Sequence, residues 1–226
     1  MIEYGGANVT ENKPVLAILG GTGKEGPGLA LRWAQAGYQV LIGSRLAEKA
    51  QATAAEINAQ LGSDNVRGME NERAALQADI AVLTVVQTAH QEALLSVREA
   101  LQGKILVDAT ARVDFRQPRP PEPPAAAKQA QDMLGSGVRV VAAFQNVPAH
   151  VLKKDLGKSI ATDVLVCADD PLAAQEVIRL AEAGGMQAFY AGGLENALVV
   201  EGLTALLISL NKYYGVKTAS IGITGI

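Results

Sequence analysis

The segment Leu16-Ala17-Ile18-Leu19-Gly20-Gly21-Thr22-Gly23-Lys24-Glu25-Gly26 constrains this chain more than any other. A short unbroken apolar run, opened by Pro14 and Val15 and closed by glycines, reads as a strand buried on both faces. The helical pattern that follows, through Leu29, Ala30, Trp33 and Ala34 to a stop at Gly37, turns the glycines into a strand-to-helix turn. In that setting the Gly-x-Gly-x-x-Gly spacing of Gly21, Gly23 and Gly26 acquires physical meaning. Gly21 permits the tight turn, Gly23 lets a pyrophosphate approach the backbone, and Gly26 lets the helix pack closely on its strand. Free N–H groups and the helix dipole then hold the anion.

The alternation continues along the chain. Strands are expected at Gln39–Gly43, Val66–Met69, Ile80–Val85 and Lys104–Asp108, with helices at Leu46–Leu61, Asn71–Gln77 and Gln91–Leu101. Such a rhythm means right-handed βαβ units, and the fold class is α/β: a Rossmann-type doubly wound parallel sheet. Ligands on such sheets sit beyond the carboxyl ends of the strands, here the loops after Leu19, Ile42, Val85 and Asp108. Five of the nine prolines fall between Pro118 and Pro124, so Arg116–Pro124 is an extended excursion, either a lid or a plain surface loop. A strand at Val138–Ala143 resumes the sheet. Beyond Pro148 the order is strand (Asp163–Cys167), helix (Pro171–Ala183), strand (Met186–Tyr190) and helix (Glu195–Leu210). The domain reading is a polar leader over residues 1–13, a nucleotide-binding domain over 14–149 and a smaller C-terminal α/β unit over 150–226. The last helix is apolar on nearly every side, which predicts burial all round, at the centre of the second unit or at a subunit contact. The apolar tail Ile221–Ile226 is expected to pack as well.

The end of the second strand discriminates between dinucleotides. An NAD site places an acid about 20 residues beyond the fingerprint, on the ribose 2′-hydroxyl. Gly43 stands there instead, followed by Ser44 and Arg45, with Lys49 one helical turn on. A carboxylate would repel a 2′-phosphate; a hydroxyl, a guanidinium and an ammonium attract one, so the cofactor is NADP(H).

Composition removes competing classes. A net charge of −3 and 4% aromatic residues suit neither nucleic acid nor an anionic membrane surface. One cysteine and two histidines are too few for a disulfide framework or a metal centre. The leader has no apolar run of the kind a secretion signal needs, and the Ala197–Leu210 stretch, broken by Glu201 and Gly202, is too short for a spanning helix. The expectation is a soluble, cytoplasmic protein. General acid–base groups are scarce. His90 lies after the Val85-Val86 strand end and either lines the nicotinamide pocket or caps the next helix. Gln145 and Asn146 end the Val138–Ala143 strand and could orient an amide or ring carbonyl, whereas Asp108 reads as a strand-end turn residue. No nucleophile–base arrangement is evident, and hydride transfer fits such a site because the cofactors carry the chemistry.

Taken together, Leu19–Ala30, Ile42-Gly43-Ser44-Arg45 with Lys49, Ala81–Val85, Val140–Ala149, Asp163–Cys167 and Gly222–Ile226 resemble the NADPH-dependent F420 reductases, or coenzyme F420-dependent NADP oxidoreductases. The resemblance runs from Pro14 onward and implies a two-domain homodimer that moves a hydride between NADP(H) and the 5-deazaflavin of F420. Carried over by motif, Gly21, Thr22, Gly23, Lys24 and Glu25 line the pyrophosphate. Ser44, Arg45 and Lys49 take the 2′-phosphate, and Val85, Val86 and His90 flank the nicotinamide. Gln145, Val147, Pro148 and Ala149 lie where the two rings meet, with Val147 and Ala149 on the NADP side, Gln145 and Pro148 on the F420 side, and Ile221 closing the far wall. The chain departs from the family pattern at Val86, where a proline is common, at Gln87, and at Gln145, where some members carry histidine. Two other readings remain open: NADPH reduction of a flavin, quinone or ferric complex, and a non-catalytic NADP(H)-sensing module.

Overall fold

A computed structural model describes residues 13–226. The expected leader, Lys13 apart, lies outside the described residues. The elements alternate as β1 (Leu16–Leu19), α1 (Gly26–Gln35), β2 (Val40–Ser44), α2 (Ala47–Leu61), β3 (Val66–Glu70), α3 (Asn71–Gln77), β4 (Ile80–Leu83), α4 (His90–Val97), β5 (Ile105–Asp108), α5 (Ala126–Leu134), β6 (Arg139–Ala142), β7 (Asp163–Ala168), α6 (Pro171–Ala183), β8 (Gln187–Tyr190) and α7 (Ala197–Tyr214). Short 3₁₀ turns precede α4 and α7.

The eight strands form one sheet in the order β3-β2-β1-β4-β5-β6-β7-β8. β1 to β6 are parallel, and the order reverses between β1 and β4, as in a doubly wound dinucleotide-binding sheet. β7 pairs antiparallel with β6, and β8 parallel with β7. The connection between β6 and β7 contains no helix. Parallel neighbours need a crossover of a dozen or more residues, usually helical, so β7 returns in the opposite direction. The C-terminal strands thereby extend the first sheet instead of building a second one, and one apolar core runs from Leu16 and Trp33 through Val164 to Val177 and Leu180.

Four findings differ from the sequence reading. The span between the prolines and β6 holds α5, whose buried face is Ala126, Ala127, Ala130 and Leu134. The apolar stripe is built almost wholly of alanine, a strong helix former that leaves little hydrophobic contrast to read. Second, α7 is not buried all round: Val200, Ala205 and Leu207 face inward, whereas Val199 and Leu206 are 67% and 55% exposed. Third, α7 with its preceding turn is long and apolar enough to cross a membrane by length and composition. Glu201 interrupts it at a buried position, ion-paired to Arg112, and this ties the helix into the protein. Fourth, the tail packs only in part. It lies beside the start of β7, where the Asp163 N–H donates to the Ile221 carbonyl and the Ile223 N–H donates to Asp163 Oδ2, but Ile226 is exposed.

Candidate active site

The crevice between β1 and β4 is built by backbone geometry that few residues allow. Gly20 adopts φ +71°, the left-handed region that favours glycine. Its N–H donates to Asn71 Oδ1 at 3.1 Å, while the Gly21 N–H donates to the Gly43 carbonyl at 2.9 Å and so joins the turn to the end of β2. A Cβ on Gly21 would stand 2.6 Å from the Ile18 carbonyl oxygen, and one on Gly26 would stand 2.6 Å from the Gly21 Cα. The fold itself demands both glycines. Gly23 differs, because a Cβ there would meet nothing closer than 3.4 Å. Internal packing does not require glycine at this point. Val85 stands against Gly20, and the Thr84 carbonyl near Gly23, so the loops after β1 and β4 face each other across the crevice. Thr22 is partly exposed, Lys24 is exposed, and Val86 projects into solvent.

At the end of β2, Ser44 is buried and its hydroxyl oxygen accepts from the Leu46 N–H at 3.2 Å. Its own proton has no acceptor among the described residues. Arg45 and Lys49 are exposed, and neither forms an ion pair among the described residues. The gap left by the missing acid is structural. A Cβ on Gly43 would lie 2.7 Å from Asn71 Oδ1, the atom that holds Gly20. Sequence reasoning missed Asn71, since its partners are remote in the chain and nothing in its neighbourhood marks it.

The C-terminal ends of β5 and β6 carry a second polar cluster. His90 Nε2 and Asp108 Oδ2 are 2.7 Å apart, with Asp108 fully buried. No side-chain cap bond is made at the start of α4, so His90 bonds a neighbouring strand and does not cap its helix. Asp108 Oδ1 accepts from the Thr110 N–H, and the Asp108 carbonyl accepts from Gln145 Nε2. Asp108 is therefore the strand-end turn residue expected, through its Thr110 bond, and also the centre of a network with His90 and Gln145. Phe144, at φ +73° and packed edge-on against Trp33, turns the chain out of β6. Asn146 then donates to the Val200 carbonyl and to Thr204 on α7. Val147 is buried and bonded back to Phe144; Pro148 and Ala149 are partly exposed.

Among the residues assigned to the F420 side, Pro148 and Ile221 line adjoining cavities. Gln145 faces Asp108, and Pro148 lines a pocket of about 390 Å³ with Arg32, Val151 and Thr162. Ile221 lines an adjoining cavity of about 1010 Å³ between the end of α1, the turn into β8 and the tail, with Arg32, Thr162 and Ser220 common to both. The glycine turn borders neither. A dinucleotide lies across an open crevice at the switch point, so the larger cavity does not compete with the strand ends as the nucleotide site.

Comparison with known proteins agrees with this geometry. A family profile described as NADP oxidoreductase, coenzyme F420-dependent, matches residues 15–112. An F420-dependent NADP reductase of Methanothermobacter thermautotrophicus is 40% identical over 221 residues, covering 93% of this chain and 95% of the relative. The F420-dependent NADP reductase of Methanocaldococcus jannaschii is 39% identical over 223 residues, covering 93% and 98%. This chain belongs to the coenzyme F420-dependent NADP oxidoreductases. A crystal structure of a candidate F420-dependent NADP reductase from an Arthrobacter species superposes with a TM-score of 0.77 at 26% identity, covering 94% of this chain and all of that one.

Within the glycine turn of this F420-dependent NADP oxidoreductase, Glu25 precedes α1 without capping it, and its Oε1 is sealed from solvent with no hydrogen-bond partner. Burial pushes its carboxyl up to about 8. A group that holds a proton in the folded state but not the unfolded one stabilises the fold at low pH. That contribution is lost as pH rises from about 4.5 to about 8, at about 1.4 kcal/mol per unit for full coupling. Thermal unfolding scans are expected to show stability falling across this window. Glu25→Gln, which keeps a neutral group in place, should flatten the slope and raise the melting temperature at pH 8.5. An unchanged slope in the variant would remove Glu25 as its source.

Proposed function

We propose that this chain moves a hydride between NADP(H) and the 5-deazaflavin of coenzyme F420. Family membership supports the reaction, and the site supports the choice of dinucleotide. The single observation that carries the NADP reading is the end of β2, where the exposed cations Arg45 and Lys49 and the Ser44 hydroxyl stand in place of an acid. In this reading Gly21, Thr22, Gly23, Lys24 and Glu25 hold the pyrophosphate at the start of α1. A Glu25 carboxyl that keeps its proton near neutral pH adds no charge beside the phosphates.

The nicotinamide and the deazaflavin supply the hydride chemistry, and the chain supplies geometry. Val85 and Val86 form the wall of the crevice on the β4 side, with His90 behind them. The β6 turn, Gln145 to Ala149, forms the opposite wall, where Gln145, Val147, Pro148 and Ala149 meet the rings. Residues 14–149 then act as the nucleotide-binding part, and residues 150–226 close the F420 side, with Ile221 reaching it from the tail. We further read the protein as a cytoplasmic homodimer. The free, buried Cys167 suits a reducing compartment, and the outward apolar face of α7 suits a second copy.

The test is an anaerobic assay in which F420H2 reduces NADP+, with recovery of the oxidised deazaflavin absorbance; NAD+ should be a poor acceptor. Turnover with NADPH and a flavin or ferric complex, but none with F420, would replace this reading. Sedimentation of the same preparation is expected to give a dimer, and a monomer at micromolar concentration would remove the α7 contact.

A further inference from the structure

The site holds one pair of groups built for proton chemistry, and hydride transfer alone leaves it without a task. Adding a hydride to an oxidised ring places a negative charge on that ring, and a proton must follow. The overall conversion is NADPH plus oxidised deazaflavin plus H⁺ to NADP⁺ plus reduced deazaflavin. Resting on the reaction proposed above, we propose that His90, oriented by Asp108, is the proton station of this site. It gives a proton to the deazaflavin ring nitrogen as the hydride reaches the ring carbon, and takes it back in the reverse direction.

Geometry supports the assignment. In this proposal the Asp108 carboxylate accepts the 2.7 Å contact from His90 Nε2, and Nδ1 is the nitrogen that exchanges the proton. Nδ1 makes no hydrogen bond to any described residue, and 7% of the His90 side chain stays open to solvent. The carboxylate is itself held from behind by the Thr110 N–H, and its main-chain carbonyl by the Gln145 amide. A base gripped on one nitrogen, open on the other and anchored through its carboxylate is the arrangement that general acid–base catalysis needs. The pair stands at the carboxyl ends of β4, β5 and β6, where ligands of such sheets bind.

Other charges near His90 do not compete for it. Glu92 on α4, Glu72 and Arg73 on α3 and Asp132 on α5 are exposed, and Lys128 on α5 pairs with Asp132. The turn before α4 carries no charged residue. Asp108 is the charged group that bonds the ring.

In the transfer, the nicotinamide C4–H bond breaks and its electron pair forms the new C–H bond on the deazaflavin. The His90 Nδ1–H bond breaks as a ring N–H bond forms, and solvent returns a proton to His90. Because deazaflavin reduction consumes a proton, it should slow in the wild type as pH rises, while the reverse direction quickens. A solvent deuterium effect should accompany the effect of deuterium at the nicotinamide C4.

The decisive variant is the double substitution His90→Gln with Asp108→Asn, which leaves a neutral hydrogen-bonded pair and no unpaired buried charge. It is expected to lose roughly 100-fold or more in rate and to show a flat pH profile in both directions, with its NADPH dissociation constant within about threefold of wild type. A variant that keeps the wild-type pH profile, or one whose loss lies wholly in NADPH affinity, would overturn the proposal. Should the variant fail to fold, the wild type decides: no solvent isotope effect on a step that shows a primary one overturns the proposal equally. A wild-type enzyme inert toward F420 would instead overturn the substrate reading.

Discussion

Removing Arg45 and Lys49 together, as alanines, is expected to weaken NADPH binding about 100-fold or more while moving NADH binding less than about threefold. A charged hydrogen bond contributes about 1.5–3 kcal/mol, and two such contacts to one phosphate set the scale even when they fall short of additivity. Both side chains are exposed and free of ion pairs among the described residues, so their loss should leave the fold intact and the comparison clean. Titration of cofactor fluorescence at low and high salt measures the effect. The wild-type preference for NADPH should also shrink with ionic strength, because exposed cations are screened. Equal losses for NADPH and NADH would move these residues off the 2′-phosphate. Restoring an acid at position 43 is not a mirror experiment. A side chain there would collide with Asn71 Oδ1 and release the Gly20 N–H, so Gly43→Asp should damage the glycine turn for both dinucleotides.

The same residues explain which parts of the protein could be read in advance. Helices bounded by strong local punctuation emerge with their ends in place: α3 runs from Asn71 to Gln77, and α6 from Pro171, behind the Asp170 cap, to Ala183 before Gly184. Short apolar runs between glycines and polar residues give β1, β2, β4 and β5, because a central parallel strand must be apolar on both faces. What escaped reading depends on partners far apart in sequence. Asn71 serves Gly20, His90 serves Asp108, and Glu201 serves Arg112 across the fold; a polar residue in isolation carries no sign of such a partner. The reversal of β7 was hidden for a different reason. Strand direction follows from what the connection before it contains, and the helix-free span after Phe144 has no pattern of its own.

Arg32 illustrates how such long-range polar links shape the site. It sits on α1 among residues that read as a helix core, yet it is buried and donates to the carbonyls of Leu152, Lys154, Lys158 and Gly184. Among the described residues no carboxylate bonds it, and carbonyl dipoles satisfy the charge. The result fastens the segment just after Ala149 to the helix that begins at the glycine turn.

Glu201→Ala is expected to cost about 3–5 kcal/mol of stability, the range for stripping one partner from a buried ion pair. The carboxylate is 2% exposed and receives four N–H groups. Oε1 takes the main-chain N–H of Arg112 at 2.7 Å and its Nε at 2.8 Å, while Oε2 takes Arg112 Nη2 at 3.3 Å and the Ala126 N–H at 2.9 Å. Arg112 and Ala126 are the two ends of the proline-rich excursion, so one side chain on α7 closes that loop. The neighbouring Gly202 has Pro120 and Pro121 about 3.7 Å from where a Cβ would stand, and Lys212 holds the Arg116 carbonyl, which lays the loop along α7. Without Glu201 the Arg112 guanidinium loses its counter-charge, and two main-chain N–H groups lose their acceptor. Urea unfolding should register the loss, and limited proteolysis should find new cleavage between residues 113 and 124 at denaturant concentrations where the sheet is intact. Glu201→Gln keeps an acceptor of the same shape and should fall between wild type and alanine. A fully stable alanine variant with an uncut loop would mean that the prolines alone hold the excursion in place, and that the acid which interrupts an otherwise apolar helix has no part in closing it.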